Sequence, residues 1–124
     1  MEDINVVVEV GNVVRDAVLE HTANGFPIVT FTIATNTRRK SNEEWIEEAN
    51  YFDCKAFGTR AEGVSKYLEK GKRVAVNGKL RQERWDTAEG KRSRIWIYTD
   101  NIQLLGDRKP VDGNRRVDDD GIPF

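Results

Sequence analysis

Between Asn50 and Trp85 two runs of alternating apolar and polar side chains flank a helix-patterned segment. Successive side chains of a strand point to opposite faces, so each run sorts its residues in two. In Asn50–Phe57, Tyr51, Asp53, Lys55 and Phe57 fall on one face, and Phe52, Cys54 and Ala56 on the other. In Arg73–Trp85, Val74, Val76 and Leu80 share a face opposite Lys79, Arg81 and Trp85. Each strand thus has an apolar side to bury and a second side that mixes aromatic rings with cations. Burial normally favours large rings. A polar face that keeps them implies a ligand carrying both negative charge and flat surfaces to stack on.

The remaining elements read in order. Ile4–Val14 is rich in valine and favours a strand, with Gly11 marking a bulge or sharp bend. Val18–Thr22 and the tight-turn pair Asn24-Gly25 follow, then Ile28–Thr35 as a half-buried strand. From Asn36 to Ala49 the alternation stops: Arg38-Arg39-Lys40 and four glutamates surround Trp45, reading either as a solvated, partly mobile loop or as a flexible finger offering cations and a tryptophan to a partner. Thr59-Arg60-Ala61-Glu62 fits a capping box, and Ala61, Val64, Tyr67 and Leu68 recur at helical spacing up to Gly71, a helix of roughly three turns. Asp86–Gly90 is a hairpin tip, and Arg92–Thr99 returns with Ile95 and Ile97 on one side and Arg92, Arg94, Trp96 and Tyr98 on the other. Trp96 and Tyr98 read as subunit packing or a second barrel surface ahead of a ligand contact.

Five strand regions with one helix between the third and fourth match the all-β plan of an oligonucleotide-binding (OB-fold) barrel, with a small α+β sheet as the alternative. Residues 1–105 form this domain, 106–117 a flexible linker, and 118–124 an acidic tip in a disordered tail. The tip, Asp118-Asp119-Asp120-Gly121-Ile122-Pro123-Phe124, is an apolar hook behind a block of charge, suited to a basic-rimmed pocket on another protein.

Net charge is −1, but residues 1–105 carry 16 Lys/Arg against 16 Asp/Glu, and residues 106–124 carry 4 against 5. The excess acid lies in the tail, so a basic stripe on the domain remains open to phosphates. Cys54 is the single cysteine, excluding an internal disulfide, and its alternation places it in the core. His21, the single histidine, sits without other ligand types and suits a surface or strand-pairing role. No run approaches the ~20 apolar residues of a membrane span and Met1–Ile4 does not begin a signal peptide, which places the protein in the cytoplasm with no membrane partner. No phosphate-cradling loop, histidine-rich metal set or nucleophile–base pair is present, so neither an enzyme nor a cofactor or metal is expected. A barrel-fold nuclease holding a divalent ion on Asp53, Glu62 and the loop glutamates is the weaker alternative.

Single-stranded nucleic acid accounts for more residues. Unpaired bases stack on rings with about 1–3 kcal/mol each whatever their identity. Tyr51, Phe57 and Trp85 supply platforms; Lys55, Lys79 and Arg81 interleave, and Arg84, Lys91, Arg92 and Arg94 surround the hairpin. An RNA-binding or primosome accessory barrel is the competing reading.

The chain resembles bacterial single-stranded DNA-binding proteins. The marks are Val10-Gly11-Asn12 with Arg15-Asp16, Asn24-Gly25, Phe31–Thr35, Ala56-Phe57-Gly58, Tyr67-Leu68-x-Lys70-Gly71, and Asn77–Arg81 with Trp85, followed by the acidic Ile-Pro-Phe ending. The resemblance implies a homotetramer of OB folds that coats single-stranded DNA without catalysis, nucleoid-associated in bacteria. It also implies a C-terminal tip that recruits replication, recombination and repair proteins. Stacking positions carry over to Tyr51, Phe57 and Trp85 and basic contacts to Lys70 and Arg84. A further stacking position falls near Arg39, which can stack as a planar cation or meet phosphate. Thr59 and Glu83 stand where cations are common in the family, and Gly121 interrupts the usual join of acid block and hook.

Overall fold

The computed structural model describes residues 1–106. The tip at 118–124, and the linker beyond Gly106, lie outside the described residues. The elements are β1 (Val7–Val13), β2 (Val18–His21), β3 (Pro27–Ser41), β4 (Glu44–Phe57), α1 (Thr59–Ser65), β5 (Arg73–Thr87) and β6 (Gly90–Leu104). Val18–His21 is a strand of its own, so the helix falls between the fourth and fifth strands rather than the third and fourth.

Neighbours run β1-β5-β6-β4-β3, and β3 returns to β1 through Asn12↔Ala34 and Val13↔Ile33, closing a five-stranded barrel. β2 lies outside this ring, antiparallel on the edge of β3. The β4–β6 contact is parallel and covers two residue pairs, Cys54↔Ile97 and Lys55↔Tyr98. Gly11 sits where β1 passes from β5 to β3, and a methyl there would lie 2.6 Å from the Ala34 carbonyl oxygen. The bend expected at Gly11 is therefore a close strand crossing. At Gly78 the register with β6 skips Asp100, and a methyl would overlap the Tyr98 carbonyl.

Val13, Val29, Phe31, Ile33, Cys54, Ala56, Val74, Val76 and Ile97 fill the barrel, and Ala61 and Leu68 close one end. Cys54 is wholly buried, and desolvation pushes its thiol up to about 12. Leu80 departs from the expected core: it is 46% exposed, as its β5–β6 hairpin runs on past the end of the barrel. Ile95 is exposed for the same reason.

Two local expectations change. The helix spans 7 residues, not three turns, with Gly63 inside it lowering its propensity. Short-range bonds from Tyr67 N to Val64 O and from Leu68 N to Ser65 O then tighten the chain and turn Leu68 inward. The N-cap is Gly58, without a side-chain cap; Thr59 is already helical, and Glu62 turns to His21, 3.3 Å away on β2. Residues 36–49 are a paired ribbon rather than a loop, with Ser41↔Glu44 closing on Asn42 and Glu43. Both have positive φ, 51° and 67°, the mark of a type I′ hairpin turn.

Candidate nucleic-acid interface

Paired residues of a sheet share a face, so the register assembles the site. β6 lies between β4 and β5, so the two strands that flank the helix are not hydrogen-bonded neighbours. Lys79 pairs with Tyr98, Arg81 with Trp96, Glu83 with Arg94 and Trp85 with Arg92, while Lys55 of β4 pairs with Tyr98 from the other side. Alternation along β4 adds Tyr51, Asp53 and Phe57 to the same outer face. Trp96 and Tyr98 consequently stand in its middle, not on a second surface. The local pattern assigned their side correctly; strand order, a long-range property, was the missing signal.

Tyr51 is 65% exposed, Trp85 45% and Phe57 37%, so all three residues keep part of their surface open to solvent. Between them the charges are tied together. Lys55 donates to both carboxylate oxygens of Glu83, at 3.0 and 2.8 Å, and Tyr98 donates its hydroxyl to the same group. Arg94 donates twice to Asp53, at 3.0 and 2.8 Å, and Thr32 donates to the other Asp53 oxygen at 2.8 Å. Trp96 is stacked by cations, with Lys55 Nζ 4.3 Å and the Arg94 guanidinium 4.5 Å from its ring centre. Arg81 lies 5.5 Å from the Tyr98 ring. Burial pushes the Glu83 carboxyl up, but the Lys55 and Tyr98 hydrogen bonds, the Lys55 charge and the Trp96 indole outweigh it and hold it below the ordinary range. The Tyr98 phenol is raised, chiefly because it donates to Glu83, then by burial and by the Glu83 charge.

The centre of the face is therefore a neutral, hydrogen-bonded floor. Lys79 and Arg81 have no ion-pair partner among the described residues and line one side of it. Arg92 is held loosely by Glu89 at 3.2 Å on the exposed hairpin.

The remaining expected residues lie elsewhere. Arg39 is on the opposite side of the β3–β4 ribbon from Tyr51, in an ion pair with Glu48 at 2.8 Å. Trp45, 61% exposed, shares the side of Tyr51 and lies 4.9 Å beneath the Arg38 guanidinium. Arg84 alternates to the reverse of its hairpin, bonded to Gln82 at 2.7 Å. Lys70 is exposed in the α1–β5 connection, its amide donating to Asp16. Among the described residues no group of three or more His, Cys, Asp or Glu could hold a metal ion, and no helix is long and apolar enough to cross a membrane.

Residues 4–105 match the model of the single-strand binding protein family. The single-stranded DNA-binding protein of Treponema pallidum (strain Nichols) is 48% identical over 106 residues, which cover 86% of this chain and 60% of that protein. That of Borreliella burgdorferi is 46% identical over 107 residues, covering 85% of this chain and 72% of the relative. This chain thus spans less than two thirds of the Treponema protein's length. Among solved structures, a Plasmodium falciparum SSB complex with ssDNA superposes with a TM-score of 0.77 at 21% identity, over 86% of this chain and 98% of that one. A deletion mutant of the single-stranded DNA binding protein from Thermus aquaticus gives a TM-score of 0.77 at 24% identity, over 85% and 52%. At such identities these structures speak for the fold, a closed OB-type barrel.

Proposed function

Because the chain belongs to the single-strand binding protein family, we propose that it binds and coats single-stranded DNA, with little sequence preference and without catalysis. The observation that carries this reading is the outer face itself. Tyr51, Phe57 and Trp85 present partly exposed rings around a neutral floor, and Lys79 and Arg81 stand beside it for phosphates. Rings receive any base, and cations receive the backbone all bases share, so no base edge needs to be read. Arg92, at the hairpin, extends the phosphate path. Lys55 acts as a fixed floor residue, held by Glu83. Trp45 with Arg38 takes the ribbon position for which Arg39 was the sequence candidate, while Arg39, Arg84 and Lys70 serve strand segments that wrap beyond the face.

We further propose a homotetramer working on nucleoid DNA in the cytoplasm during replication, recombination and repair. Its support is the outward row Ile4, Val6, Val8 and Val10, exposed by 95%, 74%, 67% and 40%, an apolar edge that a second copy would cover. Asp118, Asp119, Asp120, Ile122, Pro123 and Phe124 are proposed to capture partner proteins of those processes, supported by their sequence alone.

Titrating the chain with oligo-dT tests the reading. Tryptophan fluorescence is expected to quench, affinity to fall as salt rises through counterion release, and light scattering to report four copies. Absence of quenching, or equal affinity for duplex DNA, would sink it.

A further inference from the structure

Sequence alternation nominated rings on strands, but another ring stands against the same face from a turn. Phe26, just before β3, stacks on Phe57 with ring centres 6.4 Å apart and planes 18° from parallel. Phe57 in turn meets Tyr98 at 5.2 Å and 58°. Phe57 thus touches a ring on either side in the chain of contacts, Tyr98 from β6 and Phe26 from the residue before β3. Packing on Phe57 does not bury Phe26, which stays 50% exposed.

The turn holds that exposed ring in place. Thr22 N donates to Phe26 O at 3.0 Å, Phe26 N to Thr22 Oγ1 at 3.1 Å, and Gly25 N to Thr22 O at 2.8 Å. Pro27 follows with a fixed φ, and its carbonyl accepts from Gly58 N at 3.0 Å. The segments carrying Phe26 and Phe57 are thus bonded directly behind their rings. A fixed ring gives stacking without the ordering penalty of a mobile one.

We propose that Phe26 is a further base-stacking platform, taking the nucleotide beyond the one on Phe57 and leading the bound strand off the barrel face over the β2–β3 turn. This rests on the single-stranded DNA reading above and deepens it. Near-parallel planes suit successive bases, which keep a common orientation on both rings, while the tilted Tyr98 buttresses Phe57.

Anisotropy titrations of labelled oligo-dT with the full chain test it, using Phe26→Ala, Phe26→Leu and Phe26→Trp. Alanine and leucine are each expected to weaken binding roughly 5- to 150-fold, at both low and high salt because stacking is not screened. Tryptophan is expected to keep wild-type affinity and to add a fluorophore that quenches on binding. Wild-type affinity in Phe26→Leu overturns the proposal, since leucine retains the apolar packing on Phe57 and lacks only the ring. A wild-type chain that ignores oligo-dT overturns the underlying reading instead, so the two failures are separable.

Discussion

Glu83 shows what one residue decides on this face. Its carboxylate occupies the middle of a surface otherwise suited to phosphates, and it holds Lys55 and Tyr98 in fixed positions. Replacing it by glutamine releases the Lys55 charge. DNA affinity at low salt should rise, and the salt dependence should steepen by up to about one counterion per site. Stability should fall at neutral pH by roughly 1–2 kcal/mol, as hydrogen bonds to a charged group are lost. The sign of the pH effect follows from the carboxyl being held below its ordinary range in the folded chain. The stabilisation is complete above the unfolded value of about 4.3 and disappears as pH falls through the folded one. Thermal unfolding of wild type and Glu83→Gln at pH 7 and pH 3 should thus show a wide gap at the first and a narrower one at the second. An equal gap at both would contradict the assignment. At this scale the sequence was informative about side and silent about partner. Tyr51, Phe57, Lys79, Arg81 and Trp85 are where alternation put them, while the ties of Lys55 and Arg94 to acids depend on which strands meet. Phe26 escaped because a lone ring beside a turn has no period to betray it.

Among elements, the β3–β4 ribbon is the largest departure from the sequence reading. Alternation of apolar and polar residues announces a strand only where one face is buried, and this ribbon is solvated on both sides. Its support is cross-strand instead: Arg39 with Glu48, and Arg38 over Trp45. Its turn, Asn42-Glu43, adopts the backbone usually signalled by Asn-Gly. Glu43→Gly should therefore stabilise the ribbon by about 0.5–1 kcal/mol, the relief of a left-handed non-glycine residue less the added unfolded-state entropy. A lowered thermal midpoint would count against the turn as described. The helix was legible in position from Ala61, Val64 and Leu68. Its length and cap were not, because Glu62 was free in the sequence to return to the Thr59 amide and in the fold meets His21. Core strands were read well: Val29, Phe31, Ile33, Val74, Val76 and Ile97 are all buried.

The whole molecule combines a domain with balanced charge and an acidic terminal segment. The 12 residues 106–117 give the proposed hook a tether of at most about 40 Å. Removing Ile122-Pro123-Phe124 should leave oligo-dT affinity intact and abolish capture of replication and repair proteins from a bacterial lysate; unchanged capture would show the hook to be dispensable. A barrel was legible from the count of strands and the placement of one helix. Its closure was not, because β4 meets β6 through two pairs that lie about forty residues apart in the chain, beyond the reach of any local pattern. That junction has a practical consequence. Cys54, the single cysteine, pairs across it and keeps its thiol sealed in the barrel. An alkylating reagent reaches that sulfur when the wall parts, so the native chain carries its own chemical clock for barrel opening, and a cysteine engineered onto the outside would be the sole labelling site while the barrel stays shut.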